Sequence, residues 1–544
     1  MADVSSVKNG KSVFDSMYPG SEQEGVHDET ERLGYKQEFR RHFSLLALTA
    51  MGYMTLTPPS AIFLTLVAPL NSGGPQALFW GWIIVCTFTI FVAFSLGELC
   101  SAFPSAGGPS YWIYRISSPR WRRQLSYLTG WLNLAGQWAF GASAVFQSAF
   151  TFTAAASLYH PEYVAAPWHL VLICFFWLAL SVFANIFANQ YLAKLNTILL
   201  AFNILGVLTC IITLLATVQP KQTAEFAFTA YINNTGWSSH ALVFILGLLQ
   251  SAFTMIGYDS VTHMSEEMVE PAKNVPKALI VTVLTGTLSG LVVIIPLLFC
   301  LTRIDDILAS EIGSPFLALA YLSTHSRPGG IVLALLPTSC ALLASNSMLM
   351  ATSRTVYAFA RDGAFPFPRV FRRVDQRRLV PTNALIVSAL IEVVMLVLYI
   401  GSSTLFYTII SLATIGFDLA YLLPIVALMV KGRELDESRP FKLGRWGWPT
   451  NVAASVFLAF ISATMLIPTL SPVTASNMNY TSCILVFILL VAGVFWVCQG
   501  RRTFEGPDLH LVEPEKLGSG EFATAGGAKK REEGEGVRVV VRGA

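Results

Sequence analysis

Apolar runs of about 20 residues recur along this chain, set apart by short charged loops, and they leave little choice of fold. A run of that length crosses a hydrocarbon core of about 30 Å as a helix. Only 13% of the 544 residues are charged and 54% are hydrophobic, where a soluble domain carries about 25% charged residues. The remaining charges crowd into residues 1–42, a few loops and the stretch after Gln499. The chain therefore reads as an all-α membrane protein of about twelve spans. They fall near residues 43–70, 77–102, 124–157, 167–188, 194–219, 240–265, 277–301, 330–360, 381–399, 403–430, 450–471 and 479–498. The third is longer than a level crossing needs and is expected to tilt or project.

Basic residues set the expected orientation. They occupy alternate loops: Arg115, Arg120, Arg122 and Arg123; Lys194; Lys273 and Lys277; the run from Arg361 to Arg378; and Lys431 to Arg445. Twelve spans with both termini in the cytosol fit this alternation. The glycosylation sequons at Asn233 and Asn479 then fall outside. Residues 1–42 and 499–544 are expected to be disordered cytosolic tails. No apolar leader precedes the first span, and residues 305–323 are expected to form a short amphipathic helix at the interface.

Two spans are interrupted. The first contains Thr57-Pro58-Pro59-Ser60 and the sixth contains Met255-Ile256-Gly257-Tyr258-Asp259-Ser260. A double proline removes two backbone donors and disfavours helix before it. Unwound backbone persists at membrane depth only where protein or water satisfies it. Matched interruptions five spans apart point to a binding site built from broken helices. A proline kink and a packing glycine are the alternative.

The residues also carry a resemblance. Ser72-Gly73-Gly74-Pro75, Gly81-Trp82 and Gly97-Glu98-Leu99-Cys100 through Gly108 form the first motif. Gly257-Tyr258-Asp259-Ser260 with His263 to Glu267, Ser353-Arg354 with Phe359 to Ala364, and Arg439-Pro440-Phe441 to Gly444 follow in order. From about Phe43 to Arg501 the chain resembles the amino acid–polyamine–organocation superfamily, and within it the fungal amino-acid, 4-aminobutyrate and choline permeases. The resemblance implies a five-plus-five inverted repeat of the leucine-transporter type, at 43–219 and 240–430, with two trailing helices at 450–498. It also implies alternating access, proton-coupled uptake of a small amino acid or amine, and a plasma membrane location, with the vacuolar membrane as the other option. Relatives hold a substrate carboxylate on a glycine-rich break in span one. Here Thr57-Pro58-Pro59-Ser60 lacks two of those N–H groups, and Lys194 stands at the start of span five rather than inside it, with Asn203 the interior polar residue. Neither feature carries over.

The candidate substrate-binding residues are Met54, Thr55, Thr57, Ser60, Met255, Gly257, Tyr258 and Asp259 at the breaks, with Gln137 and Trp138 on span three and Ser345 and Asn346 on span eight. Ordinary interhelical hydrogen bonding is the plainer role for the last four. Tyr258 and Phe253 are further candidates for stacking on an ammonium. Asp259 is suited to attracting an ammonium group, relaying a proton, or capping the restarted helix. Asp418, near the middle of span ten, is costly there unless hydrated, paired or protonated, and is the second proton-coupling candidate. Glu392 on span nine is a more peripheral acid of the same kind. Glu98, Glu266, Arg354 and Arg361 are the candidate cytosolic gate, Glu98 pairing with one of the two arginines and Glu266 and Glu267 facing Lys273 and Lys277.

The eight cysteines show no metal or disulfide spacing, and the eight histidines, His263 among them, lie mostly at span ends or in tails. No metal site, cofactor, nucleic-acid partner, catalytic constellation or ring-forming filter is expected. The partners are then a small-molecule substrate, protons and the lipid bilayer. A nutrient sensor that has lost transport is the rival class.

Overall fold

The computed structural model describes residues 41, 43–310, 312, 314–375, 377–400, 405–475, 477–504 and 506. The tail expectations for 1–40, 42, 505 and 507–544 lie outside them, whereas 499–503, expected in the disordered tail, are helical. Each expected span overlaps helix, although the one expected at 403–430 begins in residues outside those described and the one expected at 450–471 ends its helix at Thr464. Ser44 caps α1 (Leu45–Leu56), its Oγ accepting from the Ala47 N–H at 3.2 Å. The helix stops at Thr57, a left-handed residue (φ 32°), and α2 (Pro58–Leu64) restarts on the two prolines. Proline suits a helix start because the first N–H groups have no intrahelical acceptor anyway.

Long helices follow: α3 (Gly74–Ala102), the short α4 (Pro109–Ile116), α5 (Arg122–Tyr159), α6 (Pro167–Phe187) and α7 (Asn189–Thr217). The sixth span is α8 (His240–Thr254), a break at 255–257, and a ten-residue 3₁₀ helix, Tyr258–Glu267. Then come α9 (Pro271–Cys300), α10 (Pro315–Thr324), α11 (Arg327–Arg361), α12 (Thr382–Val397), α13 (Leu405–Val430), α14 (Gly447–Thr464) and α15 (Thr481–Phe495). The chain continues helically to Thr503, where the Thr503 hydroxyl donates to the Gly363 carbonyl at 2.8 Å.

Nine helical stretches among the described residues are long and apolar enough to cross a membrane. The long α5 falls outside that set for a physical reason. At 38 residues it is about 57 Å long, and it packs against both α11 and α13. Buried Asn133, Gln137, Ser143, Ser148 and Thr151 lower its hydropathy because they face protein instead of lipid. The amphipathic helix expected at 305–323 is instead two pieces. Ile304–Leu308 comes first, then α10, whose Phe316 to Ala320 are buried, with α10 packed on α11.

Where α5 crosses α13 the two backbones nearly touch. A Cβ on Gly136 would lie 2.9 Å from the Phe417 nitrogen, and one on Gly416 would lie 2.7 Å from the Gly136 nitrogen. Such small-residue crossings let helices pack closely where no hydrophobic drive separates protein from lipid. Gly136→Val is therefore expected to destabilise the bundle by about 1–3 kcal/mol through overpacking. Thermal unfolding in detergent checks this, with Ala135→Val as the neighbouring comparison.

Candidate substrate site and inner seal

The two breaks come together. A Cβ added to Gly257, whose φ is 77°, would lie 2.8 Å from Met348 Cε, 3.7 Å from Phe417 Cζ and 3.8 Å from Thr55 Cγ2. Only glycine meets both the backbone angle and the space. Met54, Thr55, Thr57, Ser60, Met255 and Tyr258 are all buried. Several buried polar atoms have no hydrogen-bond partner within the protein: Ser60 Oγ, Gln137 Oε1, Trp138 Nε1, Ser260 Oγ, Ser345 Oγ and Asp418 Oδ2. Buried polar groups are almost always satisfied by something. A cavity of about 30 Å³ beside the first break is lined by Leu56, Thr57, Phe140, Gln147, Phe253 and Ala344. That is room for about one water.

Asp259 is held from the side. Tyr421 on α13 donates its hydroxyl to Asp259 Oδ1 at 2.7 Å, and His263 Nε2 is 3.1 Å from Oδ2. A helix cap would have taken backbone N–H groups, so the capping role gives way to a side-chain network. Tyr258 packs on Tyr421 with ring centroids 5.3 Å apart, and Phe253 packs on Phe140 at 6.0 Å. Gln137 turns to His263, 3.0 Å away, and Asn133 joins it at 3.2 Å. Sequence reasoning missed His263 and Asn133 as site residues. The spacing Asp259-x-x-x-His263 was the available signal for the histidine.

Other expectations are corrected. Asn346 does not line the break: its Oδ1 accepts from Asn185 Nδ2 of α6 at 2.9 Å, so it faces the neighbouring helix. Glu98 pairs with neither Arg354 nor Arg361. Its carboxylate accepts from Arg433 at 2.5 Å, Arg439 at 2.9 Å and the Leu443 N–H at 3.1 Å. Glu266 takes Arg361 in a two-pronged contact at 3.0 and 3.1 Å, and Glu267 takes Arg354 at 2.9 Å. Lys273, expected opposite these glutamates, pairs with exposed Glu270 at 3.2 Å. Glu392 is buried on α12 against α5: a Cβ on Gly141 would sit 2.6 Å from its Oε1.

These ion pairs cluster at the arginine-rich end of the bundle. A cavity of about 410 Å³ opens there between Tyr357, Arg361, Arg369, Arg372 and Arg373. In the following loop the Arg377 N–H chiefly, helped by Arg378, holds the Asp375 carboxyl below its usual range. Among the described residues no cluster of three His, Cys, Asp or Glu side chains is placed to hold a metal. Of the sequon asparagines, Asn233 is exposed and donates its amide to the Trp237 carbonyl at 2.8 Å, and Asn479 is half-buried and donates to the Met465 carbonyl at 2.6 Å.

A multi-pass helical bundle in which two interrupted spans meet has the architecture in which membrane transporters build their substrate sites. Residues 43–490 match the model of the amino acid permease family, and the chain belongs to that family. It is 37% identical over 439 residues to a Macrophomina phaseolina protein named as an amino acid/polyamine transporter, covering 80% of this chain and 97% of that one. It is 31% identical to the amino-acid permease BAT1 of Arabidopsis thaliana, over 89% of this chain and 96% of the relative. It is 30% identical to a choline transporter of Saccharomyces cerevisiae, over 89% and 85% respectively.

Proposed function

We propose that this protein imports a small amino acid or amine by proton-coupled symport. The observation that carries the reading is the meeting of the two breaks at Gly257 and Thr55 among buried, unpartnered polar atoms. Met54, Thr55, Thr57, Ser60, Met255, Gly257 and Tyr258, with Gln137, Trp138 and Ser345, surround the substrate. Exposed N–H and C=O groups of the half-helices orient its charged ends. Residues 43–219 and 240–430 act as the two repeats, 450–498 trail them, and both tails are cytosolic in the plasma membrane. Asp259 and Asp418 carry the proton. The inner gate is Glu98 with Arg433 and Arg439, Glu266 with Arg361, and Glu267 with Arg354; rocking of the bundle opens it. Asn233, being exposed, is the better placed glycan acceptor.

A purely cationic substrate such as choline is the second reading. Similarity to a choline transporter and two acids, Asp259 and Asp418, near the tyrosine pair Tyr258 and Tyr421 favour it. Purified full-length protein in liposomes with an imposed inward proton gradient separates the two. Accumulation of labelled amino acids or 4-aminobutyrate is the expected result, and accumulation of choline or polyamines alone selects the second. Binding by thermal shift with no accumulation of any compound would remove transport and favour a sensor.

A further inference from the structure

His263 lies on the 3₁₀ helix below Asp259 and is 1% exposed. Its Nδ1 is 2.8 Å from the Ala106 carbonyl oxygen, an atom that only accepts, so Nδ1 carries hydrogen and donates. In the neutral ring Nε2 then has a bare lone pair. Yet Nε2 is 3.1 Å from Asp259 Oδ2. Two lone pairs at that distance repel, so the contact requires a proton, held by either the ring or the carboxyl group. The same Nε2 faces the side-chain nitrogens of Asn133 and Gln137 at 3.2 and 3.0 Å. Those amides suit Nε2 when it is bare, by donating to it. They suit it when protonated by a half-turn that presents Asn133 Oδ1 and Gln137 Oε1, both buried and without a partner. The surroundings thus accept both protonation states.

The pair is also wired to the seal. Ala106 accepts from His263 through its carbonyl, while its N–H donates to Glu266 Oε1 at 3.4 Å. Glu266 is the carboxylate that holds Arg361. The Gly108 backbone closes on the ring as well, since a Cβ there would lie 2.7 Å from His263 Cε1. The titratable groups around the pair are few. Tyr421 on α13 binds Asp259, Asp418 on the same helix and Tyr258 lie beyond it, and Glu266 is engaged by Arg361 on α11. From α5 come only neutral amides.

We propose that Asp259 and His263 together hold the driving proton, with Asn133 and Gln137 as an adaptable amide collar, and that Ala106 links the loss of that proton to release of the Glu266–Arg361 seal. This rests on the proton-symport reading above.

The test uses full-length protein in liposomes and the substrate identified there. In His263→Gln and His263→Asn, gradient-driven accumulation is expected to fall about tenfold or more, the scale of one charge-assisted hydrogen bond. Exchange of labelled for unlabelled substrate without a gradient should fall less than accumulation does, and its pH dependence should flatten. Accumulation by either variant with the wild-type pH profile overturns the proposal while leaving symport intact. Failure of wild-type protein to accumulate under a gradient removes symport and this proposal together. If both variants also lose exchange, ¹⁵N-histidine spectra of the wild type decide. The buried ring is recognised by its resistance to a water-soluble relaxation agent, since among the described residues no other histidine is buried. Its Nε2 signal should change when the sample is acidified, and a signal that stays fixed overturns the proposal.

Discussion

Arg354→Met is expected to cost the folded protein about 3–5 kcal/mol, the penalty for removing one member of a buried ion pair. Arg354 is 1% exposed and its partner Glu267 is 2% exposed. Its guanidinium also donates to Ser353 Oγ at 3.1 Å and to Asn189 Oδ1 at 3.2 Å. One side chain thus ties α11 to the 3₁₀ helix and to the start of α7. Methionine keeps most of the volume and removes every one of these bonds, while the Glu267 carboxylate stays in place. Removing both charges, in Arg354→Met with Glu267→Met, should recover much of the stability, because a buried pair offsets only part of its own desolvation. Thermal unfolding of the two single variants and the double variant in detergent checks both statements. Equal loss in the single and double variants would refute the second.

Glu98→Ala is expected to cut gradient-driven accumulation about tenfold or more, by leaving two neighbouring guanidinium groups without their shared carboxylate. Arg433 and Arg439 are 8% and 7% exposed, so water screens them poorly. Glu98 fastens the end of α3 to the loop that follows α13, including the Leu443 N–H. Without that fastening the arginine-rich end should stay open. Preloaded liposomes should then lose substrate faster than wild type. Glu98→Gln should retain part of the function, since an amide oxygen still accepts from Leu443. Unchanged leak and uptake in Glu98→Ala would show that the triad is not part of the seal.

What was legible in the chain was what acts on its own backbone. Pro58-Pro59 and Gly257 end helices wherever they stand, so both breaks fell where expected. Long apolar stretches gave the spans for the same reason. Side-chain partners were harder. Glu98 reaches arginines 335 and 341 residues later, and counting charges by membrane side favoured Arg354 and Arg361 equally well. Ser345 and Asn346 illustrate another limit. Neighbours on a helix point about 100° apart, and the rotation of α11 depends on what it packs against. Ser345 turned out buried with an unpartnered hydroxyl, while Asn346 turned to α6. His263 stood in plain view four residues after Asp259, but its meaning depended on Ala106, Asn133 and Gln137, which arrive from distant elements.

The segment Tyr258–Glu267 is wound as a 3₁₀ helix for ten residues, where such runs seldom exceed three or four. At about 2.0 Å per residue it is about 20 Å long, and rewound as α-helix at about 1.5 Å it would shrink to about 15 Å. Its far end carries Glu266 and Glu267, each latched to an arginine of α11. Rewinding it would therefore draw the end that Glu266 and Glu267 fasten to α11 about 5 Å toward Tyr258.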